Sequence, residues 1–216
     1  MSKENSFSVT RHHFPKGVVD YIEEVSYTLP WFFFKDCAYG NQDHPLRKEL
    51  HPYFSHTFLV RTLVFSQNIS ELWNAISVEN NLNNTHPFCK NNQSLEWSHD
   101  AHTDSLTYLN GITYIRTFSE WLEGKGYDLW IGKEGGPKSY VKWRIKEHSR
   151  GSKLSITVYP HLLRKWPKPV YFLFYYSYIN IRLRSYLKSV LKGFKWYLDN
   201  GTPVPRNNFG KHSWFS

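Results

Sequence analysis

Residues 127–159, YDLWIGKEGGPKSYVKWRIKEHSRGSKLSITVY, hold three segments that alternate strictly between apolar and other residues. Tyr127, Leu129 and Ile131 fall on one face of the first, Val141, Trp143 and Ile145 on one face of the second, and Leu154, Ile156 and Val158 on one face of the third. The intervening positions are mostly polar, with Lys142, Arg144 and Lys146 alternating against the Val141 set. A two-residue period of this kind is that of a strand with one apolar and one wet face. The separators GKEGGPK (132–138) and HSRGS (148–152) carry glycine and are far too short for a parallel crossover. The segments therefore form an antiparallel meander.

Working upstream, EGKG (123–126) joins this meander to a further strand over Ile112–Leu122, which opens after the turn dipeptide Asn110-Gly111. Which face of that strand points inward is open. One face carries Ile112, Tyr114, Arg116, Phe118, Glu120 and Leu122; the other carries Thr113, Ile115, Thr117, Ser119 and Trp121. If the first face is inward, Arg116 and Glu120 become ionisable groups in apolar surroundings, suited to anchoring a ligand carboxylate or to acid–base work. Earlier still, HTFLVRTLVF (56–65) reads as a strand and QNISELWNAIS (67–77) as a short helix. Ile69, Leu72, Trp73 and Ile76 share one face of that helix, and Ser66 is its candidate cap. Asn80–Ser94 reads as an asparagine-rich loop.

Downstream, Pro167 and Pro169 precede a long helical period that ends at Asn200-Gly201. Ile179, Leu183, Leu187, Val190, Leu191, Phe194 and Leu198 form its apolar stripe, while Lys188, Lys192 and Lys195 point away. This helix is the element available to cover the apolar face of the sheet. The first fifty-five residues are turn-rich, with a short helix expected over Val18–Tyr27 and an apolar cluster in LPWFFFKDCAY (29–39).

Composition narrows the function. Nine Trp, fifteen Tyr and fifteen Phe make 18% of 216 residues aromatic, and a ring-rich interior packs with gaps that a flat or greasy ligand can fill. The net charge of +9 favours anionic partners, yet the cations are dispersed and no nucleic-acid-binding motif accompanies them. No nucleic-acid partner is expected. Cys37 and Cys89 lack CxxC spacing and no secretory signal opens the sequence, so a cytoplasmic protein with reduced thiols is the expectation. The longest apolar run, Val170–Ile181, is interrupted by Ser177 and Asn180 and is too short to span a bilayer.

Strand, Trp-bearing helix, antiparallel meander and long C-terminal helix, in that order, resemble the helix-grip fold of the START-like superfamily, also called SRPBCC, which includes polyketide cyclases and lipid-transfer domains. The resemblance rests on FLVRTLVFSQNISELWNAIS (58–77), NGITYIRTFSEWLEGKGYDLWI (110–131), the SYVKWRI and SKLSITVYP strands, and LRSYLKSVLKGFKWYLDNG (183–201). It covers residues 56–201 and leaves residues 1–55 as an N-terminal extension and 202–216 as a tail. It implies an α+β domain in which a curved antiparallel sheet grips the C-terminal helix around a cavity. A hydrophobic or aromatic small molecule, or a lipid, would occupy that cavity. The expected lining is Tyr127, Leu129, Val141, Trp143, Ile156 and Val158 from the sheet, with Ile179, Leu183, Leu187 and Phe194 from the helix.

Ligand binding without catalysis is the leading expectation, with no cofactor and no metal. A cyclase-like enzyme would use the same cavity, with Glu120 or Arg116 as the candidate catalytic groups. A non-haem iron 2-oxoglutarate oxygenase would use His102-x-Asp104 with His161 as the distal ligand and Arg164 or Lys168 beyond it. The proline and helix that follow His161 do not suit the jelly roll such an enzyme needs, so His102 and Asp104 are expected in a solvent-side loop. Peripheral membrane contact is a third possibility, through the basic face Arg182, Arg184, Lys188, Lys192 and Lys195 or through Phe32, Phe33 and Phe34.

Overall fold

The structure, a computed structural model, describes residues 58–162 and 167–216. The helix expected over Val18–Tyr27, the 29–39 aromatic cluster, Cys37 and Arg164 lie outside the described residues.

Seven strands form one antiparallel sheet: β1 (Leu59–Phe65), β2 (Cys89–Trp97), β3 (His102–Tyr108), β4 (Thr113–Leu122), β5 (Gly126–Gly132), β6 (Lys138–His148) and β7 (Gly151–Tyr159). Their spatial order is β1-β7-β6-β5-β4-β3-β2, a continuous meander from β2 to β7 with β1 added at the far edge. The register aligns the apolar sets: Tyr127 lies opposite Trp143, which lies opposite Ile156, and Leu129 opposite Val141, which lies opposite Val158. Two successive helices, α1 (Ile69–Ser77) and α2 (Leu82–Thr85), link β1 to β2.

The capping residue of α1 is Asn68, not Ser66. The Asn68 side chain accepts the Glu71 backbone N–H at 2.9 Å, and the Glu71 carboxylate accepts the Asn68 N–H at 2.9 Å. This reciprocal pair satisfies two donors that the first turn would otherwise leave open. It sets the phase of the helix so that Leu72, Trp73 and Ile76 are buried.

Two strands were not legible as strands. Asn80–Ser94 contains α2 and the start of β2, and the stretch holding His102 and Asp104 is β3. Their sequences, CKNNQSLEW and HTDSLTY, show little apolar alternation because β2 is the edge strand and its ladder is held by backbone pairing and asparagine side chains. Buried Asn92 accepts the Leu82 N–H at 3.2 Å and donates to the Ser105 carbonyl at 3.0 Å, tying α2, β2 and β3 together.

The C-terminal helix runs in three parts: α3 (Lys168–Phe174), a π-helical turn (Tyr175–Ile179) and α4 (Asn180–Asn200). Tyr171, Tyr175, Ile179, Leu183 and Leu187 are buried at four-residue steps. In a regular α-helix that spacing drifts around the axis, and the wider π turn absorbs the drift. Gly201 ends α4 with φ 66°, a left-handed cap in which glycine carries no Cβ penalty. The helix stripe and the inner face of the sheet form one continuous core. Residues of the segment 202–216 lie against this body: Val204, His212 and Phe215 are buried, and the Val204 N–H donates to the Asn84 carbonyl.

Candidate functional site

Between the inner face of the sheet and the C-terminal helix lies a cavity of about 130 Å³. Leu129, Val141, Trp143, Ile156 and Val158 form its sheet wall, and Ile179, Leu183 and Leu187 its helix wall. Tyr127 and Phe194, expected with them, lie outside the lining. Both are fully buried in the core, where Tyr127 stacks on Trp121 and Trp143 while Phe194 packs edge-on against Trp143. The rings fill that end of the concavity and confine the open space to the other.

One end of the cavity is polar, and it is built by residues that no periodicity singled out. His86, in the connection between α2 and β2, is 1% exposed. Its Nδ1 accepts the Phe88 backbone N–H at 3.2 Å, so the hydrogen sits on Nε2, which donates to the Tyr186 hydroxyl at 2.9 Å. Burial, reinforced by the positive charges of Arg116 and Arg206, lowers the His86 pKa to about 3, so the ring is neutral at ordinary pH. The Tyr186 hydroxyl lies 3.1 Å from that of Tyr108. Burial holds both phenols protonated, well above their ordinary pKa. Two phenolic hydrogens thus face one shared bond, since Tyr186 already accepts from His86. Among the described residues one of these hydrogens is left without an acceptor, and both hydroxyl-bearing side chains line the cavity.

Arg116 also reaches this end, and it faces inward. Its guanidinium makes a two-point contact with the Asp104 carboxylate: Nε donates to Oδ1 at 2.7 Å and Nη2 to Oδ2. Arg116 is 3% exposed and Asp104 fully buried. Burial alone would lower the pKa of Arg116, but the Asp104 carboxylate outweighs it and holds the guanidinium charged.

Glu120 is elsewhere. The ladder between β4 and β5 slips between Phe118 and Glu120, so two residues of β4 are accommodated where the partner supplies one. The bulge reverses the alternation. Arg116 and Phe118 face the interior, whereas Glu120 lies on the outer face, 3.2 Å from Arg144 and opposite Asp128. Burial and the neighbouring Asp128 charge raise the Glu120 pKa. The two candidate catalytic groups are therefore on opposite sides of the sheet, and no acid–base pair forms from them.

The iron-site reading fails at its own residues. Asp104 is engaged through both oxygens by Arg116, and His102 stacks face to face on Trp121 at 4.0 Å. His161 shares a 2.9 Å hydrogen bond with Ser139 at the cavity rim. Among the described residues no group of three metal-binding side chains converges. The expected loop is a strand because Asp104 needs the buried guanidinium across the ladder, a partner the local sequence does not reveal. Tail residues Trp214 and Phe215 complete the lining; their role was invisible because they follow the proline-rich stop of the helix.

No protein-family model and no curated protein matches the sequence. Solved structures do match in shape. A protein of unknown function from Staphylococcus aureus, SA2116, superposes with a TM-score of 0.54 at 8% identity, covering 67% of this chain and 94% of its own. Protein Ms6760 from Mycobacterium smegmatis matches with a TM-score of 0.50 at 10% identity, over 67% of this chain and 92% of its own. DynU16, of the dynemicin biosynthetic locus, matches with a TM-score of 0.50 at 11% identity, over 68% of this chain and 49% of its own. At such identities the likeness is one of fold. The chain is an α+β protein with a helix-grip fold, a curved antiparallel sheet closed by a long C-terminal helix.

Proposed function

We propose that this protein binds a small apolar molecule that carries a ring or short chain and one oxygen acceptor. The ligand lies between the sheet and the C-terminal helix, with its oxygen at the Tyr108–Tyr186 end. The observation that carries this reading is the cavity itself, apolar along Leu129, Val141, Ile156 and Leu183 and ending in an unsatisfied phenolic hydrogen. Its volume of about 130 Å³ is close to that of an engineered apolar cavity, about 150 Å³, that holds benzene. A single ring or one end of a longer chain fits this space; a whole diacyl lipid does not. An apolar pocket with one placed donor takes its affinity from burial and its orientation from the hydrogen bond. The cytoplasmic setting expected from the cysteines belongs to the same proposal.

Native mass spectrometry of the protein, followed by titration of Trp emission with monocyclic phenols, aromatic aldehydes and short fatty acids, tests it. Trp143 in the cavity wall is the reporter. Saturable binding that is lost when Leu183 is replaced by Trp, a substitution that fills the cavity, supports the reading. Binding that survives Leu183→Trp, or no binding across the panel, overturns it.

A further inference from the structure

Ten large hydrophobic residues are exposed among those described, and eight of them fall between Leu162 and Ile181. The concentration lies in PVYFLFYYSYINI (169–181), thirteen residues without a charge. Only Tyr171, Tyr175, Ile179 and Asn180 in this stretch are buried, so the buried positions follow one narrow line of the helix. Its other sides present Val170, Phe172, Leu173, Phe174, Tyr176 and Tyr178, with Leu173 68% exposed and Ile181 60%. An ordinary surface helix carries polar residues on those sides. A helix that is apolar all round is ordinarily buried in something, and among the described residues these sides are exposed.

We propose that this face seats the protein on an anionic lipid bilayer, and that the cavity takes its ligand from the lipid at the same place. Thirteen helical residues extend roughly 20 Å, short of the roughly 30 Å of a hydrocarbon core. No helix among the described residues is long and apolar enough to cross a membrane. The stretch thus has the length of a segment lying in the interface, with its tyrosine hydroxyls at headgroup level. Cations follow it immediately: Arg182 and Lys188 are exposed, and the Arg182 guanidinium sits 5.6 Å from the Tyr178 ring. Positive charge beside an apolar face matches anionic headgroups, as does the chain's net charge of +9. A second copy of this chain would bring those cations against one another.

The apolar surface continues into the cavity. Leu162 is exposed and also lines the cavity; Ile179 sits in the same helix and lines it too. Trp214, another lining residue, donates its indole N–H to the Tyr178 hydroxyl at 3.4 Å. An apolar ligand dissolved in the bilayer reaches the cavity along this path without crossing water. The loading route rests on the ligand-binding reading; the membrane seat does not.

Flotation of the protein with vesicles of phosphatidylcholine, alone or mixed with phosphatidylserine, tests the seat. The expected result is co-flotation with the anionic vesicles, weakened by salt. Replacing the exposed Leu173 and Ile181 together by Glu should lower vesicle partitioning roughly a hundredfold. Circular dichroism of that variant should be unchanged. Leu183→Trp, which closes the cavity, should float like the native protein, which separates failure of the seat from failure of ligand binding. Absence of flotation with every vesicle overturns the proposal. So does a concentration-dependent dimer that dissolves in the Leu173→Glu/Ile181→Glu variant, since the face is then a protein interface.

Discussion

Asp104 on β3 and Arg116 on β4 lie directly across the ladder from each other, and their side chains meet inside the sheet as a two-point ion pair sealed from water. The pair sits beside the polar end of the cavity and accounts for an aspartate that would otherwise be an uncompensated charge in an apolar interior. Its worth as a pair is small, because desolvation offsets the attraction, but either half alone is costly.

Removal of one partner should therefore be far worse than removal of both. Arg116→Met and Asp104→Leu are each expected to destabilise the fold by roughly 3–5 kcal/mol, while the double variant recovers most of the loss. Urea unfolding midpoints of the four proteins measure the cycle. Additive losses in the double variant would show that the two side chains act independently.

His86 makes stability depend on pH in a window between about 3 and 6.5, whose upper part lies above the ordinary carboxylate range. In the folded protein its pKa is about 3, against about 6.5 when unfolded. The unfolded state thus takes up a proton below pH 6.5 that the folded state refuses until about pH 3. Its contribution is complete above pH 6.5 and is lost as the pH falls, at about 1.4 kcal/mol per unit. Urea unfolding between pH 6.5 and 5 should show this slope, and His86→Gln should flatten it.

The two phenols of the cavity should differ in what they cost. Tyr186→Phe strands the His86 Nε2–H in a buried site and should destabilise by roughly 1–3 kcal/mol. Tyr108→Phe leaves that bond intact and should cost less. Thermal melts of both variants give the comparison, and an equal loss in the two would remove the His86–Tyr186 hydrogen bond as the contribution that distinguishes them.

Gly193, inside α4, should resist the change that normally strengthens a helix. A Cβ there would stand 2.1 Å from the Thr85 carbonyl oxygen and 2.9 Å from Pro87 Cδ, because α4 crosses the end of α2 at backbone contact. In an exposed helix Gly→Ala gains about 1 kcal/mol. Here Gly193→Ala is expected to lose roughly 1–3 kcal/mol by overpacking, read as a fall in unfolding midpoint.

Much of this architecture follows from local pattern. The two-residue period around Trp143 and Ile156, the helical stripe Leu183, Leu187, Val190 and Phe194, and the turn at Asn110-Gly111 are consequences of which residues can face an apolar interior, and adjacent residues alone specify them. They suffice for the strands β4–β7, for the long helix and for eight of the cavity-lining side chains. What the sequence did not reveal depends on partners far along the chain. β2 and β3 are strands because backbone pairing and Asn92 hold them, with no apolar period to announce it. The bulge at Phe118 and Glu120 inverts a face by slipping one ladder, so a regular alternation could not say that Arg116 turns inward and Glu120 outward. The polar end joins His86, Tyr108 and Tyr186 from three separate elements, and Trp214 and Phe215 return from the tail to close the cavity. Periodicity is a property of neighbours and was legible at once; hydrogen bonds between residues 78 and 100 positions apart exist only after the chain has folded.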